Sequence, residues 1–282
     1  MIVGRAEAET RYENSAARVQ ALLNRAAETY RNVRRGWSGN LRVGVDLGTA
    51  TCVIAVVDEA GDPVWVDSRM TAAIRDGVIV DFWGARDATT ALKAEAEAAL
   101  GADLSAAATA FPPGVDASDS SACRFVLEAA GFDEVTLIDE VSAANETLGV
   151  VDGVVVDVGG GSTGVGVFRN GSQIALDDKP GGGHHLDLIL AGALGLSLIE
   201  AEEAKRTHSA DYLGILKPGL ERIGESIRSL SVGAEDLDVH LAGGALMIAN
   251  ADQVIGTYLG RTVRSYPHAL FITPLGIARY TA

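Results

Sequence analysis

The 282-residue sequence has few cysteines, few aromatic residues and few basic charges. Its two cysteines, Cys52 and Cys123, fall within a predicted strand and a predicted helix, so we expect two buried thiols and neither a disulfide nor a metal site. Lys and Arg number 23 against 38 Asp and Glu, which gives a net charge of −15. This charge argues against nucleic acid as a partner, because a protein that binds the phosphate backbone needs a basic face.

Long apolar runs are also missing from the sequence. No uninterrupted apolar stretch is long enough to span a bilayer. The first residues contain no apolar core of the kind found in signal peptides. We therefore expect a cytoplasmic protein with no membrane partner.

Glycine, by contrast, is abundant, and several glycines form a turn inside the apolar stretch 154–168. Asp157 precedes this turn, and the turn itself contains Gly159, Gly160, Gly161, Ser162 and Thr163. The valine-rich flanks predict buried strands, while the glycines allow an anion to approach the backbone closely. A single hairpin of this kind does not distinguish a phosphate site from an ordinary β-turn.

The same arrangement occurs a second time, at residues 41–57. Here the apolar strands enclose Asp46, Gly48, Thr49 and Thr51. A duplicated unit with one Asp in each copy predicts two similar lobes that face one polyphosphate. We predict an N-terminal helix and linker over 1–40, a first lobe over 41–150 completed by about 272–282, and a second lobe over 151–271.

The N-terminal segment is predicted to form one amphipathic helix over residues 8–35. Its apolar positions recur at steps of three and four residues: Tyr12, Ala16, Val19, Leu23, Ala26, Tyr30 and Val33. Residues 1–40 contain seven arginines and four glutamates, a local charge of +3. The helix can dock on the acidic body through this stripe and its arginines, or it can be a detachable helix that binds a partner. The pattern leaves both alternatives open.

Three further local predictions concern the regions between and beyond the glycine turns. Thr89 is a suitable N-cap for a helix that ends at Gly101. Residues 138–149 form a helix whose small side chains permit a close crossing between the lobes. The adjacent His184 and His185 point in different directions and lack a third ligand at a supporting spacing, so we do not expect a metal site there.

Five stretches, in this order along the chain, resemble the nucleotide-binding motifs of the actin, sugar-kinase and DnaK-type chaperone superfamily. They are the first phosphate motif Asp46–Thr49, the first connecting helix Glu140–Asn145, the second phosphate motif Asp157–Ser162, the adenosine motif Leu241–Ala245 and the second connecting helix Pro274–Ala278. The resemblance implies an α/β protein with the actin-like ATPase fold. Two lobes of duplicated βββαβα type would enclose a nucleotide cleft, with reduced peripheral subdomains.

The resemblance also implies roles for individual residues, with ATP and Mg²⁺ as cofactors. Asp46 and Asp157 would face each other across Mg²⁺ and its waters, and Glu140 would orient the attacking water. The phosphate-binding residues would be Gly48, Thr49, Thr51, Gly159, Gly160, Gly161, Ser162 and Thr163. The adenosine-binding residues would be Glu202, Lys205, Arg206, Gly243, Gly244 and Ala245.

Within the superfamily the chain most closely resembles the EutJ type, chaperone-like proteins encoded with ethanolamine-utilisation bacterial microcompartments. The stretches that suggest this are 75–79 and 273–278. The chain departs from DnaK-type chaperones in two respects. No lysine matches their catalytic lysine, the nearest basic residues being Arg69 and Arg75, and no peptide-binding domain follows the second connecting helix.

These features together predict an actin-like protein that binds ATP or ADP and hydrolyses ATP slowly. It would regulate the assembly or maturation of microcompartment proteins, possess enzyme or shell partners that residues 8–35 could contact, and be associated with the microcompartment. The missing lysine favours a different interpretation, a nucleotide-gated scaffold that no longer hydrolyses ATP. A small-molecule kinase is the third alternative, although no polar insertion large enough for an acceptor pocket separates the motifs.

Overall fold

The computed structural model describes residues 2–71, 73–75, 78–115 and 117–280, without the side chains of residues 2–14, 75 and 117–119. The helices in these ranges are α1 (Ile2–Glu28), α2 (Phe82–Leu100), α3 (Ala117–Ala129), α4 (Glu140–Leu148), α5 (Gly183–Leu194), α6 (Leu198–His208), α7 (Leu213–Leu230), α8 (Ala251–Leu259) and α9 (Ile272–Tyr280). Short 3₁₀ helices cover Gly244–Leu246 and Ala269–Phe271. The strands are β1 (Arg42–Leu47), β2 (Thr51–Val57), β3 (Pro63–Met70), β4 (Ile74–Arg75), β5 (Val78–Ile79), β6 (Ala106–Phe111), β7 (Glu134–Asp139), β8 (Gly153–Val158), β9 (Ser162–Arg169), β10 (Ser172–Pro180), β11 (Val239–Ala242) and β12 (Val263–Arg264).

Ten of these strands form two five-stranded sheets of the same topology. The strand order is β3-β2-β1-β6-β7 in the first sheet and β10-β9-β8-β11-β12 in the second. In each sheet the first three strands along the chain are antiparallel, and the later two are added in parallel. This confirms the duplicated α/β fold with two lobes. In the described residues between β3 and α2, the chain adds the small hairpin β4–β5.

The strands that carry the predicted phosphate turns lie at the centres of the sheets. All six residues of β8 are buried. The apolar residues of β1 and β11 are buried as well: Val43, Val45, Leu47, Val239, Leu241 and Ala242. Helices and neighbouring strands cover such central strands, so their sequences are continuously apolar instead of alternating. The carboxyl ends of β1 and β8 are therefore fixed firmly within their lobes.

Helices α4 and α9 cross at backbone contact distance. A β-carbon built on Gly276 would lie 1.6 Å from the carbonyl oxygen of Ala143, so a glycine is required at this position. The hydroxyl of Thr147 donates a hydrogen bond of 2.7 Å to the carbonyl of Ile272 in the same crossing. The close crossing predicted from the small residues of 138–149 is confirmed.

The N-cap of helix α2 lies eight residues before the predicted one. Asp81 is its N-cap, and its side chain accepts a hydrogen bond of 3.0 Å from the amide of Gly84. Thr89 lies inside the helix, fully buried, and its hydroxyl donates to the carbonyl of Ala85 at 2.8 Å. The prediction of Thr89 as the cap was wrong because a threonine can bond the carbonyl four residues earlier within a helix. The predicted end at Gly101 is confirmed by its left-handed conformation.

The N-terminal helix ends at Glu28, earlier than the predicted residue 35. The next residues instead run along the edge strand β3, where Tyr30 forms a parallel bridge with Val66. The amide of Arg31 donates to the carbonyl of Val66 at 2.8 Å, and the amide of Arg34 donates to the carbonyl of Val64 at 2.9 Å. These backbone bonds compete with continuation of the helix, which explains its early end.

The second half of α1 is docked on the body. Val19, Leu22, Leu23 and Ala26 are buried in a core that also contains residues of β2, α4 and α9. Three arginines in and after this part of α1 form ion pairs with the first lobe: Arg25 with Asp62 at 2.8 Å, Arg31 with Asp67 at 2.9 Å, and Arg34 with Asp58 at 2.5 Å. Over residues 19–34, the structure therefore supports the docked alternative. The side chain of Tyr12 lies outside the described part of the chain.

No single helix of the described residues is both long enough and apolar enough to cross a membrane. Helices α5 and α6 reach that length and composition only as a pair, and they are bent by 102° relative to each other. Leu186 and Leu190 of α5 and Ala201 of α6 are buried in the core of the second lobe.

The docking of α1 predicts that Leu23→Ala destabilises the whole chain. Leu23 is fully buried, and removing a buried leucine side chain costs about 2–5 kcal/mol of unfolding free energy. Urea unfolding followed by circular dichroism measures the loss. The control is Asn24→Ala at the adjacent exposed position, where we expect a change within about 0.5 kcal/mol. A loss below about 1 kcal/mol for Leu23→Ala would contradict the docked arrangement.

Candidate functional site

A cleft of about 1800 Å³ is lined by residues of both lobes. All but one of the predicted site residues line it: Asp46, Gly48, Thr49, Thr51, Glu140, Asp157, Gly159, Gly160, Gly161, Ser162, Glu202, Lys205, Arg206, Gly243, Gly244 and Ala245. These residues come from stretches that are far apart in the sequence. The structure thus brings the predicted site residues together at one place, while their individual roles remain predictions.

The two glycine turns have the same hydrogen-bonded geometry and face each other. The amide of Gly48 donates to the carbonyl of Thr51 at 3.1 Å, and the amide of Gly159 donates to that of Ser162, also at 3.1 Å. A β-carbon built on Gly160 would lie 3.0 Å from the β-carbon of Thr49. The tips of the two turns are therefore in contact, and the turns face each other as the duplication predicted.

Residues 181–184 form hydrogen bonds with the backbone of the second glycine turn, a contact that was not predicted. The amide of Gly181 donates to Gly161 at 2.8 Å, that of Gly183 to Gly159 at 2.9 Å, and that of His184 to Gly160 at 2.8 Å. A β-carbon on Gly182 would lie 2.3 Å from the carbonyl oxygen of Gly159. The glycine run 181–183 is the sequence signal of this close backbone packing.

Thr163 is the exception among the predicted phosphate-binding residues. It is fully buried, and its hydroxyl donates a hydrogen bond of 2.6 Å to the carbonyl of Gly181. Its side chain is directed away from the cleft because β9 alternates its faces, which places Ser162 and Thr163 on opposite sides. Thr163 therefore fixes the supporting segment, and the prediction that it binds phosphate directly is not supported.

Asp46 and Asp157 lie at equivalent positions near the carboxyl ends of β1 and β8, and both line the cleft. Burial, and then the charge of Asp157, raise the pKa of Asp46 to about 7. Burial raises the pKa of Asp157 to about 6, although a 2.5 Å hydrogen bond from the hydroxyl of Thr273 acts in the opposite direction. The sequence did not identify Thr273 as a partner of this carboxylate.

Two more carboxylates belong to the same electrostatic group. Burial, followed by the charges of Asp157 and Asp46, raises the pKa of Glu140 well above its ordinary value. Asp178 of β10, which was not predicted, has a pKa raised to about 6, mainly by burial. Strand β10 pairs with β9, and in this pairing Asp178 lies opposite Gly164. Short-range sequence patterns do not identify Asp178, because its position depends on the register of this pairing.

The group suits a hard cation such as Mg²⁺, which prefers oxygen ligands. Buried carboxylates that raise each other's pKa are stabilised in their charged form by a nearby positive charge. Among the described residues, no three His, Cys, Asp or Glu side chains are placed to hold a metal ion by themselves. The donor chemistry of Asp46 and Asp157 therefore fits the predicted cation site, and their role as its ligands stays a prediction.

The predicted adenosine-binding residues line the same cleft. Gly243 has a φ of +85°, and a β-carbon there would lie 2.5 Å from a carboxylate oxygen of Asp157, so the turn requires glycine. Lys205 is buried, forms a 2.6 Å ion pair with Asp187 and donates to the carbonyl of Gly183 at 3.2 Å. Its ammonium group is thus already engaged, which makes it an anchor between α5 and α6 as well as a lining residue.

The basic side chains on the first-lobe side of the cleft are also engaged. Arg69 lines the cleft and forms an ion pair with Glu95. Arg31, which lines it too, forms the ion pair with Asp67 described above. The side chain of Arg75, the other basic residue considered in place of the missing lysine, lies outside the described residues.

Solved structures identify the class to which this fold belongs. MreB5 of Spiroplasma citri bound to ADP superposes with a TM-score of 0.70 at 16% identity, covering 84% of this chain and 94% of that one. The PilM-PilN type IV pilus biogenesis complex gives a TM-score of 0.66 at 17% identity, covering 84% and 97% of the two chains. The chain therefore has the actin-like ATPase fold.

Closer relatives give the family. The chain is 37% identical to the ethanolamine utilization protein EutJ of Escherichia coli (strain K12) over 239 residues, 84% of this chain and 85% of the relative. The crystal structure of EutJ from Carboxydothermus hydrogenoformans is 36% identical, with a TM-score of 0.90 over 94% of this chain and 99% of that one. No protein-family model matches the chain. The chain belongs to the EutJ family of ethanolamine utilization proteins.

The raised pKa of Asp46 predicts that Asp46→Asn stabilises the unliganded protein increasingly as the pH rises. A carboxyl with a raised pKa favours the folded state below its unfolded pKa, near 4, and this contribution is lost as the pH rises through about 7. The melting temperature of Asp46→Asn minus that of the wild type should therefore increase between pH 4.5 and pH 7.5. Asp133→Asn, at an exposed position, is the control. A difference that stays constant over this pH range would contradict the prediction.

Proposed function

We propose that the chain binds Mg-ATP in the cleft between its lobes and hydrolyses it slowly. The observation that carries the proposal is the pair of equivalent strand ends. Each bears an aspartate and a glycine turn, and the two turns touch at Gly160 and Thr49. Support comes from the actin-like relatives, of which MreB5 of Spiroplasma citri was crystallised with ADP and with AMPPNP.

Different residues of the cleft would bind the phosphates, the Mg²⁺ ion and the adenine ring. Backbone N–H groups of the two glycine turns, with the hydroxyls of Thr49 and Ser162, would bind phosphate oxygens. Asp46 and Asp157 would hold Mg²⁺, whose charge would offset that of the phosphates. Thr273 keeps one oxygen of Asp157 hydrogen-bonded and so fixes its orientation. Gly243 and Gly244 would allow the adenine ring to lie close to the backbone.

Glu140 would orient and deprotonate the attacking water. It stands at the first residue of α4, where the helix N-terminus favours a negative charge. Its pKa is raised by burial and by the neighbouring aspartates, so the carboxyl is neutral more often in the empty cleft. Binding of a cation between Asp46 and Asp157 would lower that pKa and produce the basic form. Hydrolysis would therefore depend on prior loading of the cleft.

A second function, a nucleotide-gated scaffold without hydrolysis, is favoured by one observation. Arg69 is one of the two basic residues nearest to the position where DnaK-type chaperones have their catalytic lysine. Its charge is balanced by an ion pair with Glu95. A phosphoryl-transfer site without a free cation on that side loses part of its charge stabilisation. This loss is compatible with slow hydrolysis and with none, and phosphate release distinguishes the two functions.

The biological role that we propose is that of a chaperone-like or assembly factor for an ethanolamine-utilisation microcompartment. Membership of the EutJ family supports the link to ethanolamine utilisation. The PilM-PilN complex shows that a protein of this fold associates with a protein partner. The partner here would be a microcompartment enzyme or shell component, and the chain would act in the cytoplasm beside the microcompartment.

Mg²⁺-dependent stabilisation by nucleotides tests the binding proposal. A ligand at 100 times its Kd adds about 2.7 kcal/mol to the stability of the folded state, which corresponds to roughly 5–11 °C in Tm for a protein of this size. We expect ADP and a non-hydrolysable ATP analogue to raise the Tm, and Mg²⁺ to increase the effect. Asp157→Asn should lose the Mg²⁺ dependence, whereas Asp133→Asn should keep it. Unchanged melting with every nucleotide would refute the proposed site.

Phosphate release over several hours tests hydrolysis separately from binding. We expect slow release by the wild type and at least a tenfold decrease for Glu140→Gln, since the amide cannot accept the proton of the attacking water. Nucleotide-induced stabilisation should persist in this variant. Release equal to that of buffer from a wild-type protein that is stabilised by nucleotide would establish the scaffold instead.

A further inference from the structure

A second cavity lies in the second lobe, beside the segment that supports the glycine turn. It has a volume of about 270 Å³ and opens where α5 packs against α7. Its lining shares no residue with that of the cleft. Since ligand pockets usually measure about 300–1,000 Å³, this cavity has room for one or two side chains and not for a cofactor.

The walls of this cavity are apolar. Leu186, Ile189 and Ile223 line its interior, and Leu188, which is 47% exposed, lies at its mouth. A β-carbon on Gly219 would lie 2.5 Å from a methyl carbon of Leu186 and 2.8 Å from one of Ile189. Gly219 therefore sets the close spacing of the two helices below the cavity. Such walls favour the burial of an apolar side chain.

The mouth of the cavity carries basic and polar groups without a complementary charge. Arg222 lines the cavity with an exposed side chain and forms no ion pair with any residue that the structure describes. The Nδ1 atom of His185 is buried and has no hydrogen-bond partner in the described part of the chain. Lys179 precedes the lining residue Pro180 and donates to the hydroxyl of Ser229 on α7.

The acidic residues nearest to Arg222 along α7 are occupied by other partners. Glu221 lies 3.8 Å from the ammonium group of Lys217. Glu225 forms an ion pair with Arg228 at 3.5 Å and accepts a hydrogen bond of 2.8 Å from the hydroxyl of Tyr258 on α8. The mouth is thus a basic spot on a chain of net charge −15, which is complementary to a ligand that combines an apolar group with negative charge.

The cavity is connected to the cleft through two residues of its lining. The amide of Gly181 bonds the carbonyl of Gly161 in the phosphate turn, and the carbonyl of Gly181 accepts the hydroxyl of Thr163. Gly182 packs directly on the backbone of Gly159. Any displacement of 181–182 by a ligand in the cavity would therefore reach the turn.

We propose that this cavity is a docking site for an acidic segment of a protein partner, which inserts one large apolar side chain between α5 and α7. Docking shifts the 181–182 segment and with it the affinity of the cleft for nucleotide. The docking itself does not depend on the proposed function, whereas the coupling rests on the proposed nucleotide site.

Peptide titration of the ¹⁵N-labelled, nucleotide-free protein tests the docking. The probe is a capped pentapeptide, Asp-Glu-Leu-Glu-Asp. It is compared with two altered peptides, one in which Ala replaces the central Leu and one in which Lys replaces every acidic residue. We expect saturable shifts of the amides of Gly181, Gly182 and Gly219, with at least fivefold weaker binding of both altered peptides. Absence of saturable shifts, equal binding of the three peptides, or binding of hexanoate but not of the peptide would overturn the proposal.

Two variants locate the binding on the surface. Arg222→Glu and Leu188→Ser should each weaken the leucine peptide at least fivefold. Their matched controls are Arg124→Glu and Phe125→Ser, at exposed positions of α3 in the other lobe, and these should leave it unchanged. All four changes concern exposed side chains, and an unchanged Tm verifies folding. Equal peptide affinity in Arg222→Glu and Arg124→Glu would contradict the site.

Calorimetric titration with ADP, with and without saturating peptide, tests the coupling. We expect at least a twofold change in the Kd of ADP, and linkage requires the same factor in the Kd of the peptide when ADP is saturating. An unchanged Kd would overturn the coupling. Absence of ADP binding in both titrations would refute the nucleotide site, while the docking of the peptide would stand on its own measurements.

Discussion

The backbone contact between α4 and α9 is the constraint on which the rest of the structure depends. Gly276 allows the two helices to cross with no side chain between them, and this crossing fixes three parts of the cleft. Glu140 begins α4, Thr273 lies in the first turn of α9, and α9 packs on β1, which carries Asp46. The hydrogen bond from Thr273 to Asp157 then links this unit to the second lobe. Carboxylates from distant stretches thus share one support.

The cost of this arrangement is electrostatic. Asp157 is buried, Asp46, Glu140 and Asp178 are half-buried, and the pKa values of all four are raised. Burial of these charges, together with the repulsion between them, opposes folding of the empty protein at neutral pH, yet the same negative potential attracts a cation. A cleft that is destabilised when empty gains more stability from a bound cation than a neutral cleft would. We therefore expect the stability of the folded protein to be coupled to ligand binding through these four carboxylates.

Local patterns of the sequence were sufficient for the parts of the fold that repeat or that follow a fixed period. The two glycine turns, the valine-rich central strands and the small residues of α4 and α9 were predicted correctly. The early end of α1 was not, because the backbone bonds of 30–34 to β3 decide it. The role of Asp178 and the ion pair of Lys205 with Asp187 were also missed. These contacts join residues whose proximity depends on strand register and helix packing, which short-range spacing does not contain.

The segment that follows α1 also determines how the first sheet meets its surroundings. Residues 30–34 pair with β3, so the outer edge of that sheet is occupied by the chain's own backbone. An open edge strand is a template for the addition of strands from other molecules. The edge strand β10 of the second sheet instead ends in charged residues and a proline, Asp177-Asp178-Lys179-Pro180. One sheet edge is protected by self-pairing and the other by composition, and both devices oppose aggregation by strand addition.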